Sequence, residues 1–123
     1  MMEVLRGFVN KFRQCEFIRC GLEDEVEYWG EDIPVMLLFA RIGREIVENF
    51  DKTPLETRRW IFSLIEEGMS DPDLNLQNHV ATGLLEALDG SMKRDGYAMG
   101  DEISCQLGKQ SQEYLVEWQK WSN

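Results

Sequence analysis

Apolar side chains recur at intervals of three and four residues along most of the chain, and no segment alternates apolar and polar residues as a half-buried strand does. The widest apolar stripe predicts a helix over 35–50, with Gly43 included as a point of close contact with another helix. A stripe this wide is typical of a helix covered on most of its sides. The spacing therefore predicts an all-α protein in which the helix at 35–50 is central.

The same period, together with capping residues, predicts the other helices, for a total of five or six. Their expected ranges are 3–18, 53–68, 70–88, 101–107 and 111–121. Gly90, Gly96 and Gly100 predict an irregular region between the helices at 70–88 and 101–107. A length of 123 residues corresponds to one domain, 1–123. Because 43% of the residues are hydrophobic, the chain is too apolar to be a disordered acidic segment.

Several kinds of catalytic equipment are missing from the sequence. The single histidine, His79, cannot form a histidine-rich zinc or di-iron site, and we interpret it as a helix-surface residue or one at the boundary of the core. Neither glycine-rich phosphate-binding motif occurs, and no GxSxG nucleophile motif occurs. We therefore predict a protein that is not an enzyme, with no catalytic residue, no metal site and no cofactor.

The number and spacing of the cysteines, together with the absence of long apolar runs, indicate the cellular compartment of the protein. Cys15, Cys20 and Cys105 are odd in number and contain no CxxC spacing, which favours free thiols in a reducing environment. We expect Cys15 to be buried, Cys105 half-buried and Cys20 exposed. The N-terminus has no apolar signal segment, and no run of apolar residues is long enough to cross a membrane. These features predict a cytoplasmic protein.

The net charge of the chain restricts the kinds of molecule that it is expected to bind. Thirteen Lys and Arg residues stand against 23 Asp and Glu residues, so the formal charge is −10. This charge disfavours direct binding to nucleic acid or to an anionic membrane, because both depend on basic residues. It favours a basic protein partner, which the field of the surface would attract. Nothing in the sequence decides whether the chain associates with itself.

The segment 23–32 is the most unusual part of the chain, since six of its ten residues are acidic. We expect it to be a turn between two helices that binds the basic partner, with carboxylates steering the approach and two aromatic rings buried at the contact. The predicted binding residues are Glu23, Asp24, Glu25, Glu27, Tyr28, Trp29, Glu31 and Asp32. In the alternative interpretation, the segment is a solvated loop whose two aromatic rings cover the core.

Two other groups of residues have competing interpretations. Glu66 and Asp71 could form the carboxylate pair of a hydrolase, but acids in turns more often cap helices, and we favour caps. Tyr114, Trp118 and Trp121 share one side of the last helix. We expect the first two to cover the core and Trp121 to be an edge contact.

A local pattern at 71–88, DPDLNLQNHVATGLLEAL, resembles the second half of a HEAT-type repeat. Val80, Ala81 and the Leu84-Leu85 pair match it, Asn78 stands where such repeats often have arginine, and no second copy is clear. Most of the chain, including the turn LGKQS at 107–111, resembles small bacterial all-helical proteins of uncharacterised function, some of which resemble immunity proteins of toxin–immunity pairs.

These resemblances imply an antiparallel, HEAT-like helical bundle or short solenoid. They also imply an immunity protein that neutralises a cognate basic toxin domain, such as a nuclease, by covering its active site or substrate groove. The alternative they leave open is a HEAT-like scaffold or regulatory module that binds another protein.

Overall fold

The computed structural model describes residues 2–94 and 100–122, and these residues form seven helices and no strand. The helices are α1 (Met2–Lys11), α2 (Glu16–Trp29), α3 (Val35–Glu48), α4 (Leu55–Met69), α5 (the consecutive segments Leu74–Asn78, His79–Leu85 and Glu86–Arg94), α6 (Gly100–Gln106) and α7 (Lys109–Ser122). The all-α prediction is confirmed, although five or six helices had been expected. No helix in this part of the chain is both long enough and apolar enough to cross a membrane.

The additional helix arises because the chain turns at Cys15, where one helix over 3–18 was predicted. A short 3₁₀ turn, Phe12–Gln14, follows α1, and Cys15 has an extended backbone before α2 begins at Glu16. The turn buries Phe12 completely and lets Ile18 and Leu22 on α2 enter the same core. Packing therefore favours two short helices over one long helix.

The prediction of a turn over 23–32 is wrong for its first seven residues, which belong to α2. Ile18 and Leu22 continue one buried face of α2 at a spacing of four residues, and the acids that follow Leu22 lie on the same helix rather than in a loop. Gly30 ends the helix with φ 89°, and its N–H donates to the Val26 carbonyl at 2.7 Å. Glycine occupies this left-handed conformation without the penalty that a Cβ would add.

Helix α3 is central, as its wide apolar stripe predicts, and it packs against α1, α2 and α5. Leu38, Phe39, Ile42 and Ile46 on α3 are almost fully buried. The faces of α5 and α3 meet at Gly43, where an added Cβ would lie 2.3 Å from the Leu84 carbonyl oxygen. The predicted close contact at Gly43 is confirmed, and it falls on the π-helical segment His79–Leu85.

The irregular region predicted around Gly90, Gly96 and Gly100 is only partly within the described residues. Gly90 lies inside the last segment of α5, and Gly100 begins α6, so the structure is helical at both positions. The extended apolar face of α5, which includes fully buried Leu88, keeps the helix continuous past Leu88 despite the glycine. Gly96 lies outside the described residues.

Candidate protein-binding surface

The eight predicted binding residues lie at the C-terminal end of α2 and in the loop that leads to α3. We call them the acidic surface: Glu23, Asp24, Glu25, Glu27, Tyr28, Trp29, Glu31 and Asp32. All are exposed except Glu25, which is partly buried. The structure therefore places these residues at one helix end and in the loop that follows it, with Glu25 less exposed than the others.

Tyr28 and Trp29 form an exposed aromatic pair. Their ring centroids are 5.3 Å apart with an interplanar angle of 75°, an edge-to-face arrangement. Tyr28 is 81% exposed and Trp29 is 54% exposed. Neither ring is among the partly buried side chains that pack against the described core, so they do not cover it as the alternative interpretation of this segment requires.

Glu25 is held by two arginines of α3. Its Oε1 accepts hydrogen bonds from Arg41 Nη1 at 2.8 Å and from Arg44 Nη2 at 3.2 Å. Arg41 also donates from Nε to Glu45 Oε2 at 2.8 Å. Burial lowers the pKa of Arg41, but the hydrogen bonds and charges of Glu25 and Glu45 outweigh burial and raise it above its usual value. Glu25 thus joins α2 to α3.

Gly21 lies directly against this ion-pair network. A Cβ at that position would lie 2.8 Å from Glu45 Cγ and 3.1 Å from Arg41 Nε, so a larger residue would require these side chains to shift. Asp24 and Arg41 line two grooves between α2 and α3. One has a volume of about 490 Å³ and is lined by residues around Cys20, and the other, of about 350 Å³, is lined by Asp24, Glu25, Tyr28, Trp29 and Arg41.

The position of the acids on α2 is unfavourable for the helix itself. The C-terminal end of a helix carries partial negative charge, so nearby carboxylates destabilise it and basic residues stabilise it. Glu27 lies in this last part of α2, Glu31 and Asp32 follow it, and the last turn contains no basic residue. The exposed acids therefore do not serve helix stability, which favours a role in binding.

Sequence reasoning missed Arg41 and Arg44. The available signal was the spacing of Arg41 and Glu45, which puts both side chains on one face of α3. The partner on α2 is 16 residues from Arg41 and could not be identified without the packing of the two helices.

We expect Glu25→Gln to lower the free energy of unfolding by about 1–2 kcal/mol, because Arg41 and Arg44 would lose a partly buried charged acceptor. Glu27→Gln is the matched control. It removes an exposed charge from the same helix and should change stability by about 0.5 kcal/mol or less. Urea unfolding followed by circular dichroism measures both variants, and equal effects would show that Glu25 does not hold the two helices together.

Glu66 and Asp73 are helix caps, as we favoured for acids in turns. Glu66 on α4 accepts hydrogen bonds from the backbone N–H groups of Gln110 at 2.7 Å and Ser111 at 3.1 Å, and from the Ser111 hydroxyl at 2.9 Å. It therefore caps the first turn of α7. Asp73 accepts from the Leu76 N–H at 3.0 Å and caps α5, while Asp71 accepts from the Asp73 N–H at 2.8 Å. Each acid has a backbone donor as its partner.

The structure also places the histidine and the aromatic residues of the last helix. His79 is partly buried, with Nδ1 2.9 Å from the Asn75 carbonyl oxygen, as expected of a boundary residue. Tyr114 and Trp118 pack against the core, and Trp121 is 84% exposed. The described residues contain no group of three or more His, Cys, Asp or Glu arranged to hold a metal ion.

The three cysteines are free, and two are placed as predicted. Cys15 is buried, and burial raises the pKa of its thiol, which therefore stays protonated near neutral pH. Cys20 is exposed. The expectation for Cys105 is wrong, because α6 buries Ile103, with Leu107 just after the helix, and position 105 between them faces solvent.

Comparison with known proteins gives one match. A family model described as a domain of unknown function (DUF7674) matches residues 9–122. No curated protein and no solved structure matches the chain.

Proposed function

This chain belongs to the DUF7674 family, and we propose that it is a protein-binding inhibitor, an immunity protein that neutralises a cognate basic toxin domain. The observation that carries the proposal is the exposed Tyr28–Trp29 pair at the centre of the acidic surface. Aromatic side chains are enriched among the residues that dominate binding energy. An exposed pair of rings surrounded by carboxylates combines apolar contact area with attraction for a basic partner.

The charges of this surface are available to such a partner. Within the described part of the chain, the carboxylates of Glu23, Glu27, Glu31 and Asp32 form no ion pair, whereas Glu25 is occupied by Arg41 and Arg44. The net charge of −10 extends the attraction beyond the contact itself and favours rapid association. A nuclease is a suitable target, because its substrate groove must carry basic residues that an acidic protein can cover.

A HEAT-like scaffold or regulatory module is the alternative function. It is supported by the burial of Val80, Leu84 and Leu85 on α5, the residues that match the repeat pattern. Any core helix buries such residues, so this observation favours the alternative only weakly. A scaffold would also leave the unpaired acids at the end of α2 without an explanation.

We expect the four-amide variant, in which the unpaired acids are replaced, to bind the partner at least about tenfold more weakly, mainly through slower association. The substitutions are Glu23→Gln, Glu27→Gln, Glu31→Gln and Asp32→Asn. The partner is first captured from cells that express the protein and identified by mass spectrometry, and its association is then measured by surface plasmon resonance. Raising the salt concentration should slow association far more than it speeds dissociation.

A charge-matched variant separates local binding from overall charge. It neutralises four exposed acids elsewhere on the surface: Glu3→Gln, Glu48→Gln, Asp51→Asn and Glu102→Gln. Both variants change the net charge by the same amount. An equal loss of affinity in both would contradict the acidic surface as the binding site, and recovery of the chain alone at low salt would contradict an inhibitor of a basic protein.

A further inference from the structure

The groove beside Trp29 has walls of two chemical kinds. Tyr28 and Trp29 supply aromatic rings, Asp24 and Glu25 supply carboxylates, and Arg41 completes the lining. Its volume of about 350 Å³ is enough for one long side chain rather than a peptide segment. Aromatic rings next to carboxylates are the environment that a cationic side chain favours.

The carboxylates of this groove retain free acceptor positions. Asp24 Oδ2 lies 3.7 Å from Arg41 Nη2, which is beyond hydrogen-bond distance, and the Asp24 side chain is 69% exposed. Arg41 and Arg44 both donate their hydrogen bonds to the same oxygen of Glu25, Oε1. Arg41 forms ion pairs with Glu25 and Glu45, and these two carboxylates offset its positive charge in the groove.

The chain uses guanidinium groups in the same two ways internally. The guanidinium carbon of Arg58 lies 3.9 Å from the centre of the Phe50 ring, and Arg41 is held between carboxylates of α2 and α3. A guanidinium is planar, weakly hydrated and able to stack on a ring while its edge donates to a carboxylate. A lysine ammonium is strongly hydrated and cannot do both in one plane.

From this geometry, and on the basis of the proposed function, we propose that the groove receives an arginine side chain of the basic partner in preference to a lysine. The guanidinium stacks on the exposed ring of Trp29, with Tyr28 beside it, and donates to Asp24. The unpaired acids of the acidic surface bring the partner to the site, and the groove then selects the cation. Charge therefore sets how fast the partner binds, and the groove sets which basic residue it presents there.

The test compares two peptides of equal length and charge, octa-arginine and octa-lysine, by isothermal titration calorimetry at one ionic strength. We expect the arginine peptide to bind about fivefold more tightly, which is the size of an exposed cation–π contribution. Trp29→Leu should bring the ratio of the two affinities close to one. Trp121→Leu is the matched control, since Trp121 is even more exposed and lies outside the acidic surface, and it should leave the ratio unchanged.

The outcomes separate this inference from the proposed function. Equal affinities for the two peptides that fall together in the four-amide variant would overturn the arginine groove while supporting the acidic surface. An arginine preference that persists in Trp29→Leu would also overturn the groove. Because Trp29 is exposed, both leucine variants should keep the circular dichroism spectrum of the original chain. If neither peptide binds, both proposals are contradicted.

Discussion

Gly43→Ala should lower the free energy of unfolding by about 3 kcal/mol or more, because the added methyl group has nowhere to go. Its Cβ would lie 2.3 Å from the Leu84 carbonyl oxygen and 3.0 Å from the Leu88 nitrogen. Both atoms are backbone, so relief requires α3 and α5 to move apart rather than a side chain to rotate. Movement of two packed helices costs more than the usual overpacking of a core. Urea unfolding measured by circular dichroism gives the value.

Gly90→Ala is the matched control for Gly43→Ala. Gly90 also lies within a helix, but a Cβ there would meet nothing within 4 Å. Alanine is the better helix former, so this variant should gain about 0.5–1 kcal/mol. If Gly43→Ala were as stable as the original chain, the close approach of α3 and α5 would be contradicted.

Leu84→Ala should lower the free energy of unfolding by about 2–5 kcal/mol, the range for truncating a fully buried leucine. Leu84 is completely buried on the face of α5 that packs against α3. The truncation removes apolar contacts and leaves a cavity that a tightly packed helix pair cannot fill. The same urea unfolding experiment measures the loss.

Leu74→Ala provides the comparison for Leu84→Ala. Leu74 begins the same helix but is largely exposed, so its truncation should change stability by about 0.5 kcal/mol or less. A loss below about 1 kcal/mol for Leu84→Ala would mean that the buried face of α5 has been assigned incorrectly.

These two stability predictions concern the opposite side of α3 from the acidic surface. Gly43 contacts α5, whereas Arg41 and Arg44 reach α2. Helix α3 therefore serves both as the centre of the core and as the support that holds Glu25 against α2. Binding per folded molecule should survive a moderate loss at the α5 interface, because the contacts that shape the acidic surface are separate.

The local pattern of residues is sufficient to predict the class of fold, the central helix and most of the core. The apolar period identifies which face of each helix avoids water, and this information is carried by neighbouring residues. The stripe at 35–50 correctly included Gly43 as a helix contact, and Glu66 was correctly interpreted as a cap. The grouping of the eight predicted binding residues also followed from the sequence, because they are consecutive or nearly so.

Packing between helices sets where α1 ends, how far α2 extends and which acids are free. The turn at Cys15 depends on burial of Phe12 and Ile18 in one core, and the helical state of residues 23–29 depends on α2 lying against α3. Glu25 and Glu27 are both glutamates of α2, yet one is held by Arg41 and Arg44 and the other is exposed. The arginines that hold Glu25 are far from it in the chain, so the packing of two helices, rather than any local pattern, determines which charge is left for binding.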